Sequence, residues 1–527
     1  MTTIYTTLLC LTFAQADAHP LLTVAERSDY RATARYHEVR DFLRLLAESS
    51  PRVRLGTLGT SVEGRDIPLV IIAEPPIATA DDAKKSDKFV AFAFGGIHAG
   101  EICGKEALLM LARDIAATPD HPLLKRLIIV FVPILNVDGN ERVSKDNRPG
   151  QDGPADGMGI RHNAMGLDLN RDYIKLESPE IRALVRFLSE WDPALIIDTH
   201  TTNGSYHQYT LTYDGPRIPA ADRDVISYVK DTMLPDVSRT MERVDSFKSY
   251  FYGDFDEAHS QWHTYPAKGR YGTHYGGLRN RIAILSEAYA YAPFRDRVLA
   301  TRAFVRHCLQ HVADHHVEVK HLIEAADRRT VDAGSSPRHD DRVSIRHRSV
   351  AFPEKVEVAG YVEETRDGVT HATERTRTYE VEFVGRTEPT LSVRRPYAYL
   401  LPSSMMAIAD KLREHGLYVE KLTRETKLEV EVYTVDRIEH AEREFQGHRL
   451  VTVEVTAHVE TRRFQSDTYL VRTGQKLGAL AVYLLEPQSE DGLCTWNFFD
   501  DQLQAGKPFP VVRLLPFSPL PAGPAKR

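Results

Sequence analysis

Cysteine is scarce: the 527 residues hold four, at positions 10, 103, 308 and 494. So few cannot build a disulfide framework, and stability must come from packed cores. Excess positive charge is missing too. The formal net charge is −7, which offers no basic surface of the kind a phosphate backbone requires, so nucleic acid is not an expected partner. Beyond the N-terminus no stretch is long and apolar enough to span a membrane. No repeat of fixed period occurs, and no low-complexity tract. Gly95-Gly96 ends a predicted strand, but no Gly-Lys-Ser follows, which argues against a nucleotide phosphate loop.

The N-terminus itself, "IYTTLLCLTFAQADAHP", is apolar from Ile4 to Phe13 and closes on the small-x-small pattern Ala16-Asp17-Ala18. That pattern predicts a signal peptide over 1–18 and a secreted or periplasmic protein, although no Lys or Arg precedes Ile4. Leu9 before Cys10 is larger than a lipid-anchor signal accepts. The roughly sixteen residues from Ala18 to Arg35 are too few for a folded inhibitory prodomain.

A chain of this length predicts two domains or more. From Arg35 to Ser49 apolar residues recur with helical period. "PLVIIAEPP", "KFVAFAF", "RLIIVFVPI", "PALIIDTH" and "RIAILSEAYAY" read as strands, and "GKEALLMLARDIAA" and "SPEIRALVRFLSEWD" as helices, the second with Ser178 as cap and Pro179 at its first position. Apolar strands alternating with helices predict an α/β sheet covered on both faces. From about Ala290 to Asp327 the chain reads helical. The polar stretch 328–342 reads as a linker. Beyond it, "EKVEVAGYVEE", "RTYEVEFVG", "TKLEVEVYTV" and "RLVTVEVTAHVETRRF" alternate apolar and polar residues, as half-buried strands do. The expected division is therefore 19–327 catalytic, 328–342 linker and 343–527 β-rich.

Chemistry concentrates at three strand ends. "FGGIHAGE" places His98 and Glu101 where a strand gives way to a helix, "IIDTH" ends in His200, and "ILSE" ends in Glu287. In open α/β sheets ligands bind outside the carboxyl ends of strands. A catalytic zinc takes three nitrogen or oxygen ligands from protein, and His98, Glu101 and His200 are the right types. A carboxylate at Glu287 could take a proton from water and pass it to a leaving nitrogen. Each signal alone is weak, since a histidine after a strand is usually a surface or hydrogen-bonded residue.

With these residues in place the chain resembles the zinc carboxypeptidase family, the funnelin metallopeptidases. "GTSVEGRDIPLVII", "GGIHAGE", "PILNVDGNER", "GLDLNRDY", "DTHT" and "ILSE" match that family's segments in order, over roughly Arg35 to Asp327, with Val137 where the family has proline. The resemblance implies a carboxypeptidase-like fold with a mixed, mostly parallel sheet, and one Zn2+ per chain held by His98, Glu101 and His200. It implies Glu287 as general base and then general acid. Asn170 and Arg171 would hold the substrate's C-terminal carboxylate, which suits arginine's planar fork. Arg161 would polarise the scissile carbonyl, with Arg148 competing for that role. Asp168 would accept from the far nitrogen of His98. By sequence alone, residues 168–171 also fit a turn with solvated charges. The implied substrate is a peptide or protein with a free C-terminal carboxylate.

The family's loop tyrosine has three candidates, Tyr265, Tyr271 and Tyr275, of which Tyr265 has the expected spacing. Three other functions remain open: deacylation of small acylated amino acids, trimming of peptidoglycan stem peptides, and a binding protein with a vestigial zinc site. Arg281 reads as a strand-edge charge. His307, His311 and His315 read as an exposed helix face. "LLEPQSEDGLCTWNFFDD" reads as aromatic packing against the catalytic domain.

Overall fold

The computed structural model describes residues 21–524. The predicted signal segment 1–18, with Cys10, lies outside them.

Ten strands precede the long C-terminal helices. They are β1 (Val53–Thr60), β2 (Asp66–Ile72), β3 (Phe89–Gly95), β4 (Leu127–Val132), β5 (Leu195–Thr202), β6 (Leu211–Asp214), β7 (Ser249–Phe251), β8 (Asp254–Phe255), β9 (Gln261–His263) and β10 (Ile282–Tyr289). Eight form one sheet in the order β1-β2-β4-β3-β5-β10-β6-β7. Pairing is parallel at β3–β4, β3–β5, β5–β10 and β6–β7, and antiparallel at β1–β2, β2–β4 and β6–β10. The sheet is thus α/β, mixed and mostly parallel. Residues Leu127–Val132 are buried throughout, which is why these strands read as continuous apolar runs. The predicted helices appear as Tyr36–Ser49, Cys103–Ala117 and Pro179–Trp191, and Ser178 Oγ accepts from Ile181 N at the last one's start.

The helix Cys103–Ala117 begins hard against β5. A Cβ added at Gly104 would stand 2.0 Å from Thr199 Oγ1, so only glycine allows this approach. The helices Phe294–Asp314 and His316–Ser335 follow the sheet. The second runs into the polar stretch 328–342, leaving only Ser336–Asp341 between the helix and the next strand. Polarity there reflects one exposed helix face, since Thr330 and Gly334 are buried.

Eleven further strands follow: β11 (Arg342–Val350), β12 (Lys355–Arg366), β13 (Val369–Val384), β14 (Arg386–Arg394), β15 (Ala398–Leu401), β16 (Glu420–Leu422), β17 (Thr426–His440), β18 (Val451–Phe464), β19 (Tyr469–Arg472), β20 (Val512–Leu514) and β21 (Ala522–Pro524). Seven of them form a sheet in the order β18-β17-β20-β15-β19-β16-β21. β13 pairs with β9, so the β-rich region shares a sheet with residues that precede the two long helices. The helix Gly478–Leu485 is buried on all sides and joins the main core together with Trp496 and the residues of β3, β4 and β5. An all-apolar helix of this kind has to be enclosed. The aromatic stretch around Trp496 therefore packs inward, as its composition predicts.

Two readings of single residues need correction. Arg281 is no strand-edge charge. It is 3 % exposed, and its guanidinium reaches both Asp192 and Asp327 at 2.8–3.1 Å. His307 and His311 are buried rather than displayed. His307 Nε2 lies 2.7 Å from Asp245 and His311 Nδ1 2.9 Å from Asp236.

Candidate active site

The three strand ends converge because β3, β5 and β10 are adjacent and parallel. Gly96 takes a left-handed turn, φ +63°, after β3. The chain then presents His98 and Glu101, and Glu101 N donates to His98 O at 2.9 Å. His200 lies inside β5, opposite Glu287 in β10. One atom each from His98, Glu101 and His200 can be chosen so that all lie within 4.8 Å of one another, and all three residues are buried. His98 Nδ1 is 3.1 Å from Glu101 Oε1, and His200 Nδ1 is 2.8 Å from Glu101 Oε2.

The far nitrogens face carboxylates. His98 Nε2 lies 2.9 Å from Asp168 Oδ1. His200 Nε2 lies 2.9 Å from Asp198 Oδ2, close enough for an ion pair but not aligned as a hydrogen bond. Sequence reading overlooked Asp198. Strand alternation carried the signal, since residues two apart share a face. Two imidazoles and a carboxylate, clustered and buried, with acceptors behind the imidazoles, fit a zinc ion. The otherwise unbonded Asp198 carboxylate adds negative charge that a dication would offset.

Burial raises the Glu101 pKa, but the charges of His98 and Arg148 outweigh it and hold the carboxyl well below its usual range. Burial alone would lower His200, yet Asp198 and Glu287 bring it well above the usual imidazole value. Burial pushes Glu287 up to about 8, with Glu101 and Asp198 adding to the rise and His200 and Arg148 opposing it. A carboxyl held near neutrality is suited to giving and taking protons.

Arginines complete the wall. Arg148 Nη1 is 2.9 Å from Glu101 Oε1, and its Nη2 donates to Thr201 O at 2.9 Å. Arg161 pairs chiefly with Asp168 Oδ2, through Nε at 2.9 Å and Nη2 at 2.8 Å, and its Nη1 lies 3.7 Å from Glu101 Oε1. Arg171 Nη1 donates to Asn170 O at 2.8 Å, and its guanidinium lies 4.4 Å from the Tyr271 ring centroid. Asn170 Oδ1 accepts from Gly272 N at 3.0 Å. A single cavity of about 220 Å³ is lined by His98, Glu101, His200, Glu287, Arg148, Arg161, Asn170 and Arg171. Tyr252, Tyr265 and Tyr271 line it too. Tyr265 stacks on His274 with centroids 5.0 Å apart. Tyr275 is elsewhere, bonded through its hydroxyl to His415 at 2.9 Å. Sequence reading did not single out Tyr252.

"GTSVEGR" and "NVDGN" supply structure rather than chemistry. Ser61 Oγ donates to the buried Asp138 carboxylate at 2.8 Å, and Arg65 pairs with it at 2.6 Å.

Residues 39–275 match the family model described as zinc carboxypeptidase. The chain is 24% identical over 503 residues to carboxypeptidase 2 of Trichophyton rubrum, covering 90% of this chain and 85% of that one. It is 32% identical over 210 residues to carboxypeptidase D of Rattus norvegicus, covering 38% of this chain and 14% of the other. A crystal structure of carboxypeptidase A from Helicoverpa armigera aligns with TM-score 0.41 and 18% identity, over 54% of this chain and 74% of that one. The family match takes in the ends of β3 and β5, with His98, Glu101 and His200, and stops short of β10 and Glu287; it identifies a zinc carboxypeptidase domain over residues 39–275, with a buried ligand cluster that suits the family's metal.

Proposed function

We propose that the protein removes C-terminal residues from peptides, with His98, Glu101 and His200 holding one zinc. The observation that carries this reading is the shared cavity, in which Asn170 and Arg171 lie beside the ligand triad and Glu287. A peptidase that acts inside chains has no use for a paired amide and guanidinium aimed at a terminal carboxylate. Bound zinc supplies Lewis acidity that polarises a carbonyl and acidifies water. Glu287 takes the proton of the attacking water and returns it to the leaving nitrogen. Arg161 donates to the oxyanion as the carbonyl carbon becomes tetrahedral. Asn170 and Arg171 bind the terminal carboxylate and so fix which peptide bond faces Glu287. Tyr265 lines the side of the cavity where the terminal residue would lie. Asp168 keeps His98 in one tautomer by accepting from Nε2.

Mass spectrometry of a defined peptide mixture, incubated with wild type and with Glu287→Gln, tests the reading. Stepwise loss of single C-terminal residues with wild type alone is the expected result. Cleavage of acylated amino acids or peptidoglycan stems, with linear peptides untouched, would replace it with one of those substrates. Inactivity toward all three would favour a binding role. Export is likewise proposed, and a secreted protein beginning after Ala18 is the expected N-terminal sequence.

A further inference from the structure

The β17–β18 hairpin ends in a two-residue turn, Gln446-Gly447. Phe445 N donates to His448 O at 2.8 Å and His448 N to Phe445 O at 3.1 Å. Both central residues are left-handed, with φ +54° at Gln446 and +76° at Gly447. This geometry selects Asn-Gly or Gly-Gly. A glutamine at the first position is locally disfavoured, since its Cβ meets the backbone there. Residues that break a local rule are expected where the side chain has another task.

The task is visible. Gln446 Oε1 accepts the main-chain N–H of Asp168 at 2.9 Å, across 278 residues of sequence. The Asp168 carboxylate is already engaged on both oxygens. Oδ1 receives His98 Nε2 at 2.9 Å and Asn170 N at 3.0 Å, and Oδ2 receives Arg161 Nε at 2.9 Å. The same turn is anchored from its other side, where His448 Nε2 lies 2.9 Å from Glu177 Oε1 and Nδ1 lies 3.0 Å from Asn497 Oδ1. The hairpin tip thus grips the 168–177 segment at the residue on which His98, Arg161 and Asn170 converge.

We propose that Gln446, from the β-rich region, is a positioning residue for the zinc site, acting through the main chain of Asp168. Removing its side chain leaves the Asp168 N–H without its partner and frees the carboxylate to shift. His98 and Arg161 shift with it. The β-rich region is then part of the catalytic apparatus rather than an appendage.

The inference rests on the assignment of His98 as ligand and Asp168 as its partner, so Asp168→Asn is the control. The test uses the full zinc-loaded chain and follows zinc release to a colorimetric chelator, together with kcat, KM and thermal midpoint. Gln446→Gly suits the left-handed turn and should hold or raise the midpoint. It should weaken zinc binding by up to about tenfold, below the loss expected for Asp168→Asn, which touches His98 directly. Gln446→Glu keeps an acceptor at the same reach and should restore binding to within about twofold of wild type. Wild-type zinc affinity and kcat in Gln446→Gly would overturn the proposal, as would a loss that Gln446→Glu does not restore. Wild-type affinity in Asp168→Asn would instead overturn the assignment beneath it. Should Gln446→Gly fail to fold, the claim of local disfavour falls, and Gln446→Asn, tolerant of the turn but one methylene short, decides the positioning role by the same readouts.

Discussion

Glu287 and His200 are register partners in the parallel ladder between β5 and β10. In a parallel pair, register neighbours project to the same face. The candidate base and a candidate zinc ligand are therefore held at a separation set by two buried strands, not by a loop. Such a frame preserves geometry when a side chain changes. Glu287→Gln should lower kcat by about two to four orders of magnitude while zinc content, read by elemental analysis, stays at the wild-type level. Loss of zinc along with activity would mean that Glu287 supports the metal rather than the proton transfer.

His200→Ala removes a ligand and leaves Glu101 and Asp198 without that imidazole. Zinc that binds only the folded chain stabilises it by mass action. Chelation should therefore lower the thermal midpoint of wild type and leave that of His200→Ala unmoved. An equal chelator-induced drop in both proteins would place the metal elsewhere.

Arg148 and Arg161 compete for the role of oxyanion donor, and their partners separate them. Arg148 is tied to the ligand Glu101 and to the carbonyl of Thr201. Arg161 is tied to Asp168, reaches Glu101 only at 3.7 Å, and is the more exposed of the two, at 35% of its side chain against 18%. Arg161→Ala should cut kcat by about two to three orders of magnitude with zinc retained. Arg148→Ala should lower kcat by less than Arg161→Ala, because the Arg148 guanidinium is already engaged by Glu101 and the carbonyl of Thr201, and should not loosen zinc, since it takes a positive charge away from a ligand carboxylate. A reversed order of the two losses in kinetics would exchange the two roles.

Much of this site was legible in the sequence, and the reason is local. His98 and Glu101 share one turn, and His200 and Glu287 each follow closely on the apolar run of a strand. Asn170, Arg171 and Asp168 lie within four residues of one another. What the sequence could not show is long-range. Arg281 looked like a strand-edge charge because its partners, Asp192 and Asp327, are 89 and 46 residues away. His307 and His311 recur with the period of an exposed stripe, and only Asp245 and Asp236 on another helix make that stripe an interior one. Residues 328–335 are polar yet helical, because a helix needs only one apolar face. Gln446 carries no motif at all, and its partner is a backbone amide.

The loop that carries Tyr265 and Tyr271 is held by a buried ion pair. Arg270 N and Nε each lie 2.7 Å from the Asp491 carboxylate, which also accepts from Trp496 Nε1 at 2.9 Å. Asp491 is fully buried and the Arg270 side chain only 6% exposed. Asp491→Ala would strand a guanidinium out of water, which costs about 3–5 kcal/mol. Denaturant unfolding should show that loss, and Arg270→Met combined with Asp491→Ala should recover part of it. An unchanged midpoint in Asp491→Ala would mean that solvent reaches Arg270.

Acid should unfold the protein partly through two histidines outside the ligand cluster and its cavity. Burial lowers His207 to about 3, against weaker opposition from the Tyr209 amide. Burial, with Lys411 next, lowers His415 to about 3 as well. His415 makes the neutral form explicit. Its Nε2 donates to Ile174 O at 3.2 Å, so its Nδ1, 2.9 Å from the Tyr275 hydroxyl, must accept. Both folded values lie below the ordinary imidazole value near 6.5. Between about pH 6.5 and 3 the unfolded chain therefore binds protons that the folded chain refuses. The stabilising contribution is complete above pH 6.5 and is lost as pH falls toward 3. Each histidine adds up to about 1.4 kcal/mol per pH unit to the slope in that window. Urea unfolding at pH 6 and pH 4 should show a shallower pH dependence for His415→Gln than for wild type, by about one proton. Identical slopes would mean that His415 is already protonated in the folded state, with the Tyr275 hydroxyl turned to accept from it.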